Sequence, residues 1–225
     1  STPSNSSAAS DVYKRQVLTM YFFYELLTLS TLPLVMHALD SKARYAGRIY
    51  LTYSMCGAAL GFIAMVVLLE HGGMFFQFGG GVSVSAGKEN TLRAAYVLGF
   101  FGFGVKAAVF PGHRWLLRAS VAPTPVTALL HAVAVVKAGV FAVTRLTWYG
   151  YGPDLIRGSW AQYLVMGAAM FTIAYGSAKA LRTQHLKRRL AWSTISNLSY
   201  VLLGVTTLTT AGLTAGMVHL SLIHI

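Results

Sequence analysis

"GFGVKAAVFPGHRWLLRASVAPTPVTALLHAVAVVKAGVFAV", residues 102–143, holds two apolar runs with a proline–glycine pair between them and a lysine in each. A lipid-spanning helix needs about 20 largely apolar residues, and both runs fit into segments of that length. Pro111 lacks an amide donor, so Pro111 and Gly112 interrupt the first run. An interrupted helix in a membrane needs protein or water around its freed backbone groups. Lys137 stands near the centre of the second run, where a lysine costs about 2.5–3.5 kcal/mol on insertion scales. The stretch therefore reads as a broken membrane helix followed by a span that carries a charge.

The rest of the chain agrees with that reading. Of its 225 residues, 55% are apolar and only 11% are charged, where soluble domains carry about 25% charged residues. Mean hydropathy is +0.57. Apolar runs at about 17–37, 48–70, 92–110, 125–147, 160–182 and 188–208 predict six spans, and a seventh begins near Ala211. The expected fold is an all-α, polytopic transmembrane bundle of six to seven helices, with one broken helix near 111–112.

Residues 1–10 are polar and of low complexity, which predicts disorder. "DVYKRQ" (11–16) and the closing "SLIHI" have the look of sequence foreign to the rest. Residues 1–16 are thus expected to be a disordered or foreign leader and 221–225 a foreign tail, with 17–220 a fragment of a transmembrane domain.

Charge excludes some functions and orients the rest. The net charge is +12, but the basic residues are scattered between apolar runs and form no stripe for nucleic acid. The single cysteine, Cys56, cannot form an internal disulfide, an iron–sulfur site or a thiolate zinc site. His37, His113, His185 and His219 have no helical ligand spacing with a nearby carboxylate, so no metal and no cofactor are expected. If every run crosses once, Lys42, Arg44, Arg48, Arg114, Arg118, Lys179, Arg182, Lys187, Arg188 and Arg189 fall on one side. Lys88, Arg93, Arg145 and Arg157 fall on the other. The positive-inside rule puts loops 38–47 and 111–124 in the cytoplasm and 71–90 outside, in a multi-pass protein of the cell inner (plasma) membrane. Segment 71–90 is glycine-rich and reads as a loop or a short hairpin.

Three ionisable residues remain inside the spans: Glu25, Lys106 and Lys137. Lys106 could snorkel to the interface, and Glu25 could form a static ion pair with one lysine. A pair leaves the third charge without a partner. A low-dielectric site disfavours the charged form of either residue type, so protons can come on and off, and linked groups of this kind form a relay. His131 suits proton transfer, or hydrogen-bonded packing. It lies six positions before Lys137, about 240° around an ideal helix, so the two do not share a face. "LAWSTISNLSY" (190–200) brings Ser193, Thr194, Ser196, Asn197 and Ser199 into a span, to bind helices together or to line water. Lys187 reads as a topology anchor or as a residue turned inward.

"FYELLTLSTLPLVMH", the stretch 102–146 and "LKRRLAWSTISNLSYVLLG" together resemble the proton-conducting antiporter-like membrane subunits of respiratory complex I, membrane-bound hydrogenases and Mrp-type cation/proton antiporters. The resemblance covers about 200 residues. It implies a whole of about fourteen helices built on two inverted five-helix repeats, each with a broken helix. The present chain would run from the fifth helix to the start of the eleventh. By that correspondence Glu25 is similar to the family's essential glutamate, Lys106 to the lysine of the broken helix, Lys137 to the lysine of the next helix and His131 to its nearby histidine. Lys187 falls where many members carry a lysine. "WLLRA" (115–119) departs from the "WLPDA" of many members, at Leu117 and Arg118.

The resemblance further implies a proton-translocating subunit of a redox-driven pump, with Glu25, Lys106, His131 and Lys137 as its relay. Other membrane subunits, protons and the lipid bilayer would be its partners, and any redox chemistry would belong to those subunits. An Mrp-type sodium/proton antiporter subunit is the alternative within transport. A structural membrane scaffold with static ion pairs is the alternative from another class.

Overall fold

The computed structural model describes residues 16–83, 87–120 and 123–222. Among these every regular element is a helix, and one isolated antiparallel bridge joins Gln16 and Phe75. Helix α1 is Val17–Val35, α2 Ser41–Glu70, α3 Glu89–Gly104 and α4 Arg114–Ala119. A composite helix comes next: α5 Thr124–Ala128, a π-helical segment Leu129–Val133, α6 Val135–Arg145 and a second π-helical segment Leu146–Tyr151. Then come α7 Pro153–Ile156, α8 Trp160–Arg182, α9 Leu186–Thr206 and α10 Thr210–Leu222.

Each of the six expected spans contains a helix, the third only as far as Gly104, and α10 is the seventh. Four runs are long and apolar enough to cross a membrane by length and composition: Val17–Val35, Ser41–Glu70, Pro125–Tyr151 and Trp160–Arg182. Helix α9 has 21 residues, but its hydroxyls, Asn197 and three leading basic residues lower its hydropathy. Helix α3 is short, at 16 residues, because it stops at Gly104 rather than running on to 110. Large apolar side chains such as Phe22, Phe23 and Tyr163 point outward, each more than 60% exposed, as suits a bundle whose surroundings are lipid.

Small residues let the helices approach closely. A Cβ built on Gly57 would come within 2.6 Å of the Gly102 carbonyl oxygen, and one on Gly102 within 2.5 Å of the Gly61 amide nitrogen. Gly57 and Gly61 lie four apart on α2, the small-xxx-small spacing of close-packed membrane helices. Between α8 and α9, Ser177 and Ser196 hydrogen-bond through their hydroxyls at 2.9 Å. The polar run of α9 thus takes the helix-binding role at Ser196.

Segment 71–83 is a set of turns and no hairpin forms among its described residues. It docks on the second π-helical segment: the amides of Gln77, Gly79 and Gly81 donate to the carbonyls of Tyr149, Trp148 and Gly150. Gly80 (φ +98°) and Gly152 (φ +84°) meet there, with a Cβ on Gly80 only 2.8 Å from the Gly152 Cα. Arg93 Nε donates to the Leu155 carbonyl and Arg157 donates to Leu208 at this same end of the bundle. At the opposite end Lys42, Arg118, Lys187 and Arg188 line one cavity, and Arg114 and Lys179 line its neighbour. Each of these basic residues therefore lies at the end of the bundle that the charge count assigned to it.

The expectations for the chain ends fall mostly outside the described residues. Within them, Gln16 pairs with Phe75, Val17 is buried, and Ser221 and Leu222 continue α10.

Candidate functional site

The interruption of the membrane helix runs from Val105 to His113 and contains both Pro111 and Gly112. It begins earlier than the proline requires. The last i→i−4 bond ahead of the break is Val105 N to Phe101 O, and Ala108 then adopts φ +59°, outside the helical region, before Pro111 is reached. Lys106, expected about a turn ahead of the break, lies inside it.

The freed backbone groups have protein partners. Tyr24 Oη on α1 donates to the Phe103 carbonyl at 3.4 Å. Trp115 Nε1 on α4 donates to the Val105 carbonyl at 2.6 Å. The Phe110 amide donates to Thr172 Oγ1 on α8 at 3.1 Å. Three neighbouring helices thus supply what a broken helix in lipid must find.

Lys106 is fully buried. Its ammonium lies 3.3 Å from the centroid of the Tyr24 ring and donates a hydrogen bond to the Tyr24 carbonyl. Glu25, the next residue on α1, is within electrostatic reach of Lys106. Its Oε1 is buried with no hydrogen-bond partner. Among the described residues the one ion pair joins Arg93 to Glu89 at 3.2 Å, on the surface. The buried lysine is therefore held by a carbonyl and an aromatic face, and the buried carboxylate oxygen beside it is left open. Cation–π attraction reaches about 2 kcal/mol or more when the cation is desolvated, as here.

The composite helix closes the site from the other side. A Cβ built on Gly139 would lie 2.8 Å from the Lys106 carbonyl carbon and 2.9 Å from its Cβ. Only glycine lets α6 sit against the break. Lys137 precedes Gly139 by two positions, about 200° around the axis, so it leaves α6 on the far side from Lys106. It is half-buried. His131 lies in the first π-helical segment, a local geometry often found at functional sites. Its ring is beside the Leu116 backbone of α4, and its Nε2 is buried without a partner. Lys187 is exposed and lines the basic cavity at the end of the bundle.

The structure thus brings Glu25 and Lys106 together, sets His131 and Lys137 on the composite helix behind Lys106, and leaves Lys187 outside. Tyr24, Trp115 and Gly139 do not stand out in the sequence. Two of them lie next to or near a charge already suspected, Tyr24 before Glu25 and Gly139 in "VKAGV", which is the signal that could have found them. Among the described residues no group of three or more His, Cys, Asp or Glu side chains is placed to hold a metal ion.

A polytopic helical bundle with a lysine buried in a broken helix, beside a carboxylate with an unpartnered oxygen, defines a multi-span membrane protein with ionisable groups inside its spans. Residues 15–225 match the family described as NADH:quinone oxidoreductase/Mrp antiporter, TM. The chain belongs to that family. It is 34% identical over 188 residues to hydrogenase-4 component B of Escherichia coli (strain K12), covering 81% of this chain and 27% of that protein. It is 32% identical over 196 residues to the putative antiporter subunit mnhA2 of Staphylococcus aureus (strain USA300 / TCH1516), covering 85% and 24%. The chain thus spans about a quarter of the length of these relatives. Its fold superposes on the Mrp complex from Dietzia sp. DQ12-45-1b with a TM-score of 0.78, at 24% identity, over 93% of this chain and 23% of that one. The membrane-bound sulfane sulfur reductase, an archaeal respiratory membrane complex, gives a TM-score of 0.73 at 22% identity, over 92% and 42%.

Proposed function

We propose that this chain is part of a proton-translocating subunit of a redox-driven membrane complex, in which Lys106 and Glu25 exchange a proton that passes by His131 to Lys137. The observation that carries the reading is Lys106 itself. It is a fully buried ammonium in a helix interruption, held by Tyr24 while the Glu25 carboxylate beside it keeps an oxygen without a partner. A static scaffold would leave the two opposite charges joined, since an unpaired buried charge is destabilising. A site with two alternative partners for one ammonium is suited to switching: on Glu25 the lysine gains a direct ion pair that keeps its proton, and on Tyr24 its counter-charge stands nearby without direct contact.

The partners of the subunit are other membrane subunits of one complex, and its location is the cell inner (plasma) membrane, with 38–47 and 111–124 on the cytoplasmic side. The charge asymmetry between the two ends of the bundle supports that orientation. A second reading, sodium/proton exchange in an Mrp-type complex, is favoured by the likeness to the Staphylococcus aureus antiporter subunit. Proton and sodium flux in vesicles, measured on the full-length subunit in its complex with Lys106 intact or replaced, tests both readings.

A further inference from the structure

The starts of α2 and α9 and the end of α4 surround a cavity of about 710 Å³ at the end of the bundle away from Gly152. Lys42, Tyr45, Arg118, Ser120, Lys187 and Arg188 line it, and no carboxylate does among the described residues. The nearest acid in sequence, Asp40, spends its Oδ1 on the Ala43 amide at 2.6 Å as the cap of α2. The cations therefore converge without an internal counter-charge. Arg118 is held with its guanidinium 5.5 Å from the centroid of the Tyr45 ring. Helix α9 begins in this wall: its cap residue His185 makes no side-chain capping bond, and its first turn has no acidic residue. Its free amides and the positive end of its dipole add to the same field.

We propose that this cavity binds a phosphate group, supplied by the headgroup of an anionic phospholipid. Two arginines offer the planar fork that matches phosphate oxygens, and two lysines add charge. Ser120 adds a hydroxyl. The lipid source is argued from the surroundings. Leu186 and Leu190, on the first turns of α9, are 70% and 59% exposed and present apolar surface next to the cations. A phospholipid offers that same combination of anionic head and apolar tail. Basic clusters at the ends of membrane helices recognise anionic headgroups in this way. The proposal is independent of the proton relay, since none of Arg118, Arg188 and Lys42 belongs to it.

The test uses the full-length subunit in its complex, purified in detergent with equal phosphatidylglycerol and phosphatidylcholine. Retained lipid is counted by mass spectrometry on fully assembled material. Wild type should retain phosphatidylglycerol over phosphatidylcholine, and Arg118→Gln with Arg188→Gln should lower that retention about five-fold or more. Arg118→Lys with Arg188→Lys keeps the charge but loses the fork and should retain lipid at a level between wild type and the Gln pair, which separates a lost site from lost folding. A parallel titration with inorganic phosphate reads thermal stability. A stabilisation by phosphate that the Gln pair abolishes, without lipid retention, supports the site with a soluble source. Equal retention of both lipids together with no phosphate response, or phosphatidylglycerol retention untouched by the Gln pair, overturns the proposal.

Discussion

The ammonium of Lys106 lies over the ring of Tyr24, 3.3 Å from its centroid, while the carboxylate one residue further along the same helix keeps a buried oxygen unpartnered. Two acceptors for one cation are thus set side by side on α1. The carbonyl and ring of Tyr24 hold the lysine in the arrangement seen here. A rotation of the lysine chain toward Glu25 would exchange a neutral partner for a charged one. Breaking or making such a pair at low effective dielectric is worth several kcal/mol, and about 1.36 kcal/mol shifts a proton affinity tenfold.

Tyr24→Leu removes the ring but keeps the carbonyl, so Lys106 should lose part of its hold and favour Glu25. Translocation should fall by up to about thirty-fold in the assembled complex, the equivalent of a desolvated cation–π contact of about 2 kcal/mol. Tyr24→Trp offers a better aromatic face and should retain most activity. Leucine and tryptophan variants that pump equally would show that the ring merely fills space.

Gly139→Ala should strain the contact between α6 and the break. The added methyl meets backbone atoms of Lys106 and Ala107, which cannot rotate away. Overpacking of this kind costs about 1–3 kcal/mol. Gly167→Ala on α8 is the control, since nothing lies within 4 Å of a Cβ there. Thermal melting of the two variants in detergent checks this, and equal melting points would contradict the close approach.

The two ends of the bundle should be reached from opposite sides of the membrane. In a Cys56→Ala background, Lys42→Cys should be labelled only from the cytoplasmic face and Phe78→Cys only from the outside. Both parent positions are exposed. Labelling of position 42 by an impermeant reagent on intact cells would reverse the proposed orientation.

Much of the fold was legible because lipid imposes a simple rule. Twenty apolar residues in a row leave few options, and the runs at 17–37 and 160–182 became α1 and α8 nearly to the residue. The charge count reached the two ends because loops carry their basic residues wherever the helices happen to pack. The limits of the broken helix were not legible. Pro111 marks a break, but the ladder fails earlier, after Val105, in a stretch packed against Tyr24, Trp115 and Gly139. The π-helical segments were hidden for the same reason. The first changes the angular spacing between His131 and Lys137 from the 240° of an ideal helix, and the second ends in carbonyls that the distant loop 77–81 satisfies. Of the site, each charge was visible as an expense in lipid. Its partner was not, because a carbonyl and a ring carry no charge to notice.

Lys137→Ala should insert and assemble as well as the parent, because alanine removes an insertion cost of about 2.5–3.5 kcal/mol. It should nonetheless lose translocation in the full-length subunit. Lys137→Arg should be impaired as well, since arginine stays protonated. Full pumping by both variants would remove Lys137 from the relay.

The central claim is that the buried charge of Lys106 is used. The most direct measurement is proton translocation into vesicles by the full-length subunit in its complex, with Lys106→Ala compared with the parent and both normalised to assembled protein. The account predicts assembly at parental levels and a loss of translocation of about tenfold or more, equivalent to at least about 1.4 kcal/mol on the rate-limiting step. Parental translocation by Lys106→Ala, at equal assembly, would contradict it and leave Lys106 as a static element of the broken helix.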